Sequence, residues 1–393
     1  MKIFITMNSN KKLVWIVVVI VVVVLIVWTA QNKTSTGTQT IKIGAISSLS
    51  GGAAPIGEQA RNAIVLAEEQ INAQGGIDGN KLDIIIEDGG CDGAKALSAW
   101  QKLVSVDNVK VVLGGHCSTE SLAIAPLTSQ NGVVALADIT SSTAIPNEGE
   151  WLFRNSPPND YYAQIGGRFA YAHGVKSLAI LTEQKDYSID YSKNFKDSFS
   201  AAGGTVIDEE SFLADASDFR SVLAKLKAES FDGILLSSQS AKTMGLIVNQ
   251  MHDLQLDGVA VIFSGGFSAD TFLKTTGGYV PAKAWGIAPY VDATSSTTKP
   301  FIDAYAQRFG QPITFNPFYI AATYDMVFRL KAALEGCGAN PDNTACIRDY
   351  FKGQKEWNGA SGKITFDSNF HPMVPLAEVT IVNGKEVDVP ISY

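Results

Sequence analysis

Two short turns gather hydroxyl groups at the ends of apolar runs. Gly114-Gly115-His116-Cys117-Ser118-Thr119-Glu120 follows the run from Val109 to Leu113 and opens a helical pattern. Asp138-Ile139-Thr140-Ser141-Ser142-Thr143 follows Val133 to Ala137. Serine and threonine hydroxyls donate hydrogen bonds, and the unpaired N–H groups at a helix start favour negative charge, so the two turns together suit a carboxylate. Ser118 and Ser142 would serve equally as helix caps, a routine use of serine. Catalysis fits the same residues poorly. His116, Cys117 and Ser118 are adjacent, and neighbours along a chain rarely form a working relay. The sequence has no GxSxG elbow, no HExxH pair and no GxxxxGK[ST] phosphate loop, and Gly265-Gly266 lacks dinucleotide spacing. His173, His252 and His371 are scattered and read as surface or internally satisfied residues. The expectation is a binding protein, not an enzyme, with no cofactor and no metal.

The elements that must position these turns alternate between strand and helix. Ile41 to Ile46 reads as a buried strand, followed by a Gly/Ala/Pro loop from Ser47 to Ile56. Ala60, Ala63, Ile64, Ala67 and Ile71 then recur at helical spacing within Gly57 to Gln74, a helix with a small-residue face fit to lie on a sheet. Leu82 to Glu87 predicts a strand, Asp92 to Asp107 a helix, Val109 to Leu113 a strand, Ser118 to Asn131 a helix and Val133 to Ala137 a strand. That order is the signature of a doubly wound parallel sheet. After Pro157-Pro158 a second series begins, with strands at Leu178 to Leu181, Thr205 to Asp208, Gly233 to Leu236 and Val259 to Phe263 separated by helical patterns. Two tandem α/β lobes imply a cleft. Helices come next at Pro300 to Phe309, Tyr319 to Leu334 and Ile347 to Phe351, and β-type pieces at Gly362 to Phe366 and Ala377 to Val382.

Composition narrows the partners and the compartment. The 393 residues carry a net charge of −8, which argues against nucleic acid or an anionic membrane surface as partner. An apolar run from Leu13 to Trp28 comes after Lys2, Lys11 and Lys12, so the positive-inside bias places residues 1–12 in the cytoplasm and exports the chain beyond Trp28. The run reads either as an uncleaved membrane anchor or as a cleaved signal segment, because its length falls between the two. Residues 29–40, rich in Thr, Ser, Gln and Asn, form a linker. The four cysteines fall into local pairs, Cys91 with Cys117 and Cys337 with Cys346. In an oxidising compartment these read as two disulfides, with four unpaired core thiols as the plain alternative.

From Ile41 onward the chain resembles the type I periplasmic binding proteins of the leucine/isoleucine/valine-binding class, the solute receptors of ABC importers. The resemblance is carried by IKIGAISSLSGGAAPIGEQARNAIVLAEEQINAQGGIDGNKLDIIIEDGGCD, GGHCSTES, VVALADITSSTA, LAILTEQKDYSIDY and DFRSVLAKLKAESFDGILL. It implies two doubly wound parallel-sheet lobes joined by three crossover strands, near Phe153 to Ser156, Ile287 to Tyr290 and Gly359 to Lys363. Lobe 1 would then comprise 41–156 and 288–360, and lobe 2 would comprise 157–287 and 361–393. Cys91 and Cys117 match the family's first-lobe disulfide. Ser118 matches the serine that binds the ligand carboxylate, and Ser141, beside Thr140, falls at the hydroxyl contacting carboxylate and ammonium. Ile139 supplies a carbonyl at the ammonium position, Tyr187 matches an aromatic that closes over the ligand, and Gln239 lies near another aromatic position.

One departure bears on the ligand. The second-lobe acid that pairs with the ammonium falls in Ser264-Gly265-Gly266-Phe267, where no acid stands. An ammonium buried without a carboxylate is costly. Either Asp138 or Asp186 takes that role, or the ligand is not an α-amino acid. The function implied is an extracytoplasmic receptor, monomeric, that delivers a small carboxylate-bearing ligand of the branched-chain amino-acid type to ABC permease subunits. A membrane-tethered sensing module that uses the same cleft is the second reading, and an extracellular hydrolase a distant third.

Overall fold

The computed structural model describes residues 39–146, 148–265 and 268–392. The apolar run at 13–28 and residues 29–38 of the linker lie outside the described residues. Among the described residues no helix is long and apolar enough to cross a membrane.

The first sheet is all parallel. Its strands are β1 (Thr40–Ser47), β2 (Lys81–Asp88), β3 (Val111–Leu113), β4 (Val134–Ala137) and β5 (Leu152–Arg154), in the order β2-β1-β3-β4-β5. Helix α1 (Ala54–Ala73) lies on one face, and α2 (Gly93–Gln101) and α3 (Ser118–Asn131) lie on the other. Burial on both faces explains why the strands read as continuous apolar runs. Ala60, Ala63 and Ala67 of α1 are fully buried, which lets the helix approach the strands closely.

The second sheet takes over after Arg154. Helix α4 (Asn159–Ala172) leads to β6 (Ser177–Glu183), α5 (Asp186–Ala201), β7 (Thr205–Phe212), α6 (Arg220–Lys227), β8 (Gly233–Ser237) and α7 (Ala241–Asp253). Strand β9 (Ala260–Ser264), helix α8 (Ala269–Thr276) and strand β10 (Ala284–Pro289) come next. The strand order is β15-β14-β10-β9-β8-β6-β7, with β14 (Leu376–Val382) and β15 (Lys385–Pro390) added antiparallel at one edge. Between these come α9 (Thr298–Phe309), α10 (Pro317–Gly336), α11 (Thr344–Gly353) and a small sheet of β11 (Glu356–Gly359), β12 (Gly362–Phe366) and β13 (Pro372–Met373).

One expectation shifts, and α8 and β15 are elements the sequence reading does not predict. The helix expected over Asp92 to Asp107 is α-helical only to Gln101 and continues as a π turn over Lys102–Val106. Helix α8 carries no long apolar period and is fixed by the Ser268 cap and the buried Phe272. Strand β15 is mostly exposed and owes its form to pairing with β14.

Helix α10 organises the passage between the sheets. It packs on the first sheet through Met326, Val327 and Leu330. The buried Arg329 donates to Asn155 Oδ1 and, at 3.0 and 2.7 Å, to Gln354 Oε1. Asn155 itself donates to the Ala322 carbonyl at 2.8 Å. Asp325, 2 % exposed, accepts from the N–H groups of Ala360 and Ser361 at 2.9 and 2.8 Å and from the Ser361 hydroxyl. One helix thereby fixes both residue 155, where the chain leaves the first sheet, and residues 360–361, the turn of the β11–β12 hairpin. Asp325→Ala strands two buried N–H groups and should lower stability by about 2–4 kcal/mol, with Asp325→Asn losing less. Chemical denaturation of the two variants measures the difference.

Candidate ligand-binding site

Two walls of the site are built at the carboxyl ends of parallel strands, from their loops and the first turns of the helices that follow, where this class of sheet collects ligands. The cavity measures about 510 Å³ of space unfilled by protein atoms, part of it open to solvent. The first-sheet loops contribute Ala53, Ile56, His116, Cys117, Ser118, Ile139 and Ser141. The second-sheet loops contribute Tyr187, Ser238, Gln239 and Ser264, and Phe315 and Tyr319 close one side.

The turn before α3 is shaped by one carboxylate. Glu120, fully buried, accepts at Oε2 from the N–H groups of His116 and Cys117 at 2.7 and 3.1 Å. At Oε1 it accepts from the Cys91 N–H at 2.8 Å and the Ser48 hydroxyl at 2.9 Å. Burial pushes its pKa up, against the pull of His116 and these donors. Gly115 is required there, because a Cβ would come within 2.5 Å of the Glu120 Cβ. The Sγ atoms of Cys91 and Cys117 lie 2.02 Å apart, which ties the same turn to the loop after β2.

Ser118 is the first residue of α3 and is 1 % exposed. Its Oγ accepts from the N–H groups of Ser141 and Ser142 at 3.3 and 3.1 Å and from the Thr140 hydroxyl at 3.3 Å. With its acceptor sites turned to the neighbouring loop, its own proton is free to be donated. Ser141 Oγ accepts from the Tyr162 hydroxyl at 3.2 Å and stands in the same position to donate. Thr140 supports Ser118 from behind and does not line the cavity. Ser142 bonds the Ala144 N–H at 3.2 Å rather than capping a helix.

Asp138 also lies behind the wall. It is 3 % exposed and accepts from His116 Nδ1 at 2.8 Å and from the Thr323 hydroxyl at 3.1 Å. Burial disfavours the His116 imidazolium, yet the charge and hydrogen bond of Asp138, with Glu120 nearby, hold its pKa above the usual histidine value. Asp138 is correspondingly held below the usual carboxylate range, despite burial, by the His116 charge. Asp186 begins α5 and does not line the cavity.

On the opposite wall, Glu183 accepts at Oε2 from the Ser238 hydroxyl at 2.9 Å and the Gln239 N–H at 2.7 Å. Ser264 accepts from the Ser238 N–H at 3.1 Å. Tyr187 packs against Tyr191 with ring centroids 5.9 Å apart and ring planes tilted by 40°, and burial raises the Tyr187 pKa well above the usual tyrosine value. Gly266 and Phe267 of the stretch that lacks an acid lie outside the described residues.

Sequence reasoning placed Ser118, Ile139, Ser141, Tyr187 and Gln239 at the cavity. It missed Ser238, Ser264, Phe315 and Tyr319, and it set His116 aside. The first two stand at the carboxyl ends of β8 and β9, so the rule that found Ser118 could have found them.

The halves touch directly across the cleft. The Thr143 N–H and hydroxyl donate to Asp190 on α5 at 3.0 and 2.6 Å, and Lys185 Nζ donates to the Cys91 carbonyl at 3.1 Å.

Two α/β sheets with a hydroxyl-lined cavity between their strand ends describe a cleft-closing receptor, and the comparisons agree. The Periplasmic binding protein family matches residues 40–386. The chain belongs to that family. It is 25% identical over 328 residues to the Leu/Ile/Val-binding protein BraC3 of Rhizobium johnstonii, covering 83% of this chain and 87% of that protein. It is 24% identical to the leucine-, isoleucine-, valine-, threonine- and alanine-binding protein of Pseudomonas aeruginosa, covering 79% and 82%. The isoleucine complex of the branched-chain amino-acid transporter substrate-binding protein LivJ of Streptococcus pneumoniae superposes with a TM-score of 0.80 at 25% identity, covering 90% of this chain and 99% of that one. A solute-binding protein of Rhodopseudomonas palustris in complex with 3,4-dihydroxybenzoic acid shares the fold, with a TM-score of 0.75 at 24% identity over 90% and 96%.

Asp190 also accepts from Asn159 Nδ2 at 2.9 Å, so its carboxylate is held in place to bridge the halves. Asp190→Ala should weaken ligand affinity about three- to tenfold, chiefly through faster release, the scale of one or two charge-assisted hydrogen bonds. Stopped-flow dissociation measurements check this, and a changed association rate with unchanged release would contradict it.

Proposed function

We propose that this protein is the extracytoplasmic solute receptor of an ABC importer and holds a small carboxylate-bearing ligand in the cavity between the two sheets. The observation that carries the reading is Ser118. It sits at the N-terminus of a 14-residue helix with its acceptor sites occupied by the neighbouring turn and its proton free. Helix dipole, backbone donors and hydroxyls then converge on one anionic group. The ligands named for the relatives and neighbours, amino acids and a dihydroxybenzoate, have a carboxylate in common. Closure of the lobes over the ligand supplies the state that permease subunits read, by its differential affinity for the closed form. The receptor acts as a monomer, and the chain crosses between lobes near 153–156, 287–290 and 359–363. Ser118→Ala and Ser141→Ala should each weaken binding by about 1–3 kcal/mol without unfolding the protein, although Ser118→Ala strands the Ser141 and Ser142 N–H groups and should lower the unfolding temperature. Calorimetry against amino acids and organic acids measures this, and unchanged affinity in both variants removes the assignment.

The compartment is inferred from the apolar run, read as a membrane anchor or a cleaved signal, and from the cysteines. The Sγ atoms of Cys337 and Cys346 lie 2.00 Å apart, and those of the first pair are similarly close. We infer two disulfides in the exported protein. Non-reducing peptide mapping should recover both linkages, and loss of either should cost about 2–4 kcal/mol. The same digest distinguishes the two states of the N-terminus, since an anchored chain retains the peptide before Leu13.

A further inference from the structure

Among the described residues, the polar groups lining the cavity are hydroxyls, an amide and one imidazole, and none is a carboxylate. Each acid around it already has other partners. Asp138 holds His116 and Thr323 through Oδ2, and its unbonded Oδ1 is buried in a residue that does not line the cavity; Glu183 holds Ser238 and the Gln239 N–H, and Asp190 holds Thr143 and Asn159. Neither Gly266 nor Phe267 brings a carboxylate, by its chemistry. An α-ammonium in this cavity would meet only neutral dipoles such as the Ile139 carbonyl, while its desolvation cost would stand.

His116 sharpens the point. Its Nδ1 is spent on Asp138, Nε2 has no partner among the described residues, and the ring lines the cavity beside Ser118. With Nδ1 donating to Asp138, Nε2 accepts in the neutral ring and donates in the imidazolium, the form that the Asp138 charge favours. The remaining walls are apolar, built from Ile56, Ile139, Phe315, Tyr187 and Tyr319.

Resting on the reading of this cleft as the ligand site, we propose that the ligand is an apolar-bodied carboxylic acid without an α-ammonium, held at its carboxylate by His116, Ser118 and Ser141. The neutral polar groups of the opposite wall, Ser238, Gln239 and Ser264, would meet the far end of the ligand. They suit an uncharged substituent such as a hydroxyl.

Affinity then depends on pH with a definite sign. The charged groups facing His116 are Asp138 from the loop after β4 and Glu120 from α3. From α10 come the uncharged Thr323 hydroxyl and Tyr319, whose pKa burial raises well above the usual value. Binding should therefore hold while the imidazole is protonated and weaken as the pH rises through its elevated pKa.

The test is calorimetry on the purified full chain in detergent with matched pairs: 4-methylpentanoate against leucine, 3-phenylpropanoate against phenylalanine, and benzoate alone. The acid of at least one pair should bind about tenfold or more tighter than its amino acid. His116→Gln should weaken that acid by a similar factor and flatten the decline in affinity between about pH 6 and pH 9. Amino acids binding more tightly than their acids would overturn this proposal and leave the receptor reading intact, and loss of that binding in Glu183→Gln would name Glu183 as the ammonium partner. If no member of the panel binds, both this proposal and the reading of the cleft fall. An acid that binds wild type and His116→Gln alike removes His116 from the site.

Discussion

The buried carboxylate of Glu120 is the constraint on which the candidate site depends. Four donors from three separate segments converge on it: the Ser48 hydroxyl and the N–H groups of Cys91, His116 and Cys117. The loops after β1, β2 and β3 are thereby set against one another with the N-terminus of α3 between them. Charge-assisted hydrogen bonds of this kind are stronger than neutral ones, and a buried carboxylate without them would be costly. The position of Ser118 is a consequence, since it directly succeeds Cys117, whose N–H Glu120 holds.

A second layer depends on the first. His116 takes its place from its N–H on Glu120, and its ring then meets Asp138 at the end of β4. Thr323 of α10 adds a further donor to Asp138, so the helix that holds Asn155 and the β11–β12 turn also backs the cavity wall. Packing, topology and binding chemistry share residues here, and a change in α10 should reach the site through Asp138.

Much of this was legible in the sequence, for physical reasons. Strands buried on both faces must be apolar runs, and hydroxyls placed just after such runs fall at strand ends, which is how Ser118, Ile139 and Ser141 could be recognised. Short elements were harder. Strand β15 exists through pairing with β14, and α8 through one cap and one buried phenylalanine, and both are too short for their period alone to mark them. The role of His116 was hidden because its partner, Asp138, lies 22 residues away, and only the fold brings the two to 2.8 Å. Asp138 reads from sequence as a possible ammonium partner, and what the sequence does not display is its pairing with His116.

The bonds of Thr143 to Asp190 and of Lys185 to the Cys91 carbonyl span the cleft without passing through any ligand. They favour the shut form of the empty receptor as much as of the loaded one. Such contacts raise affinity by lowering the work the ligand must do, and in equal measure they raise the background of shut but vacant molecules. A membrane partner that responds to shape alone would receive false signals from that background. The strength of a few surface hydrogen bonds therefore sets a trade between sensitivity at low ligand concentration and the fidelity of the message.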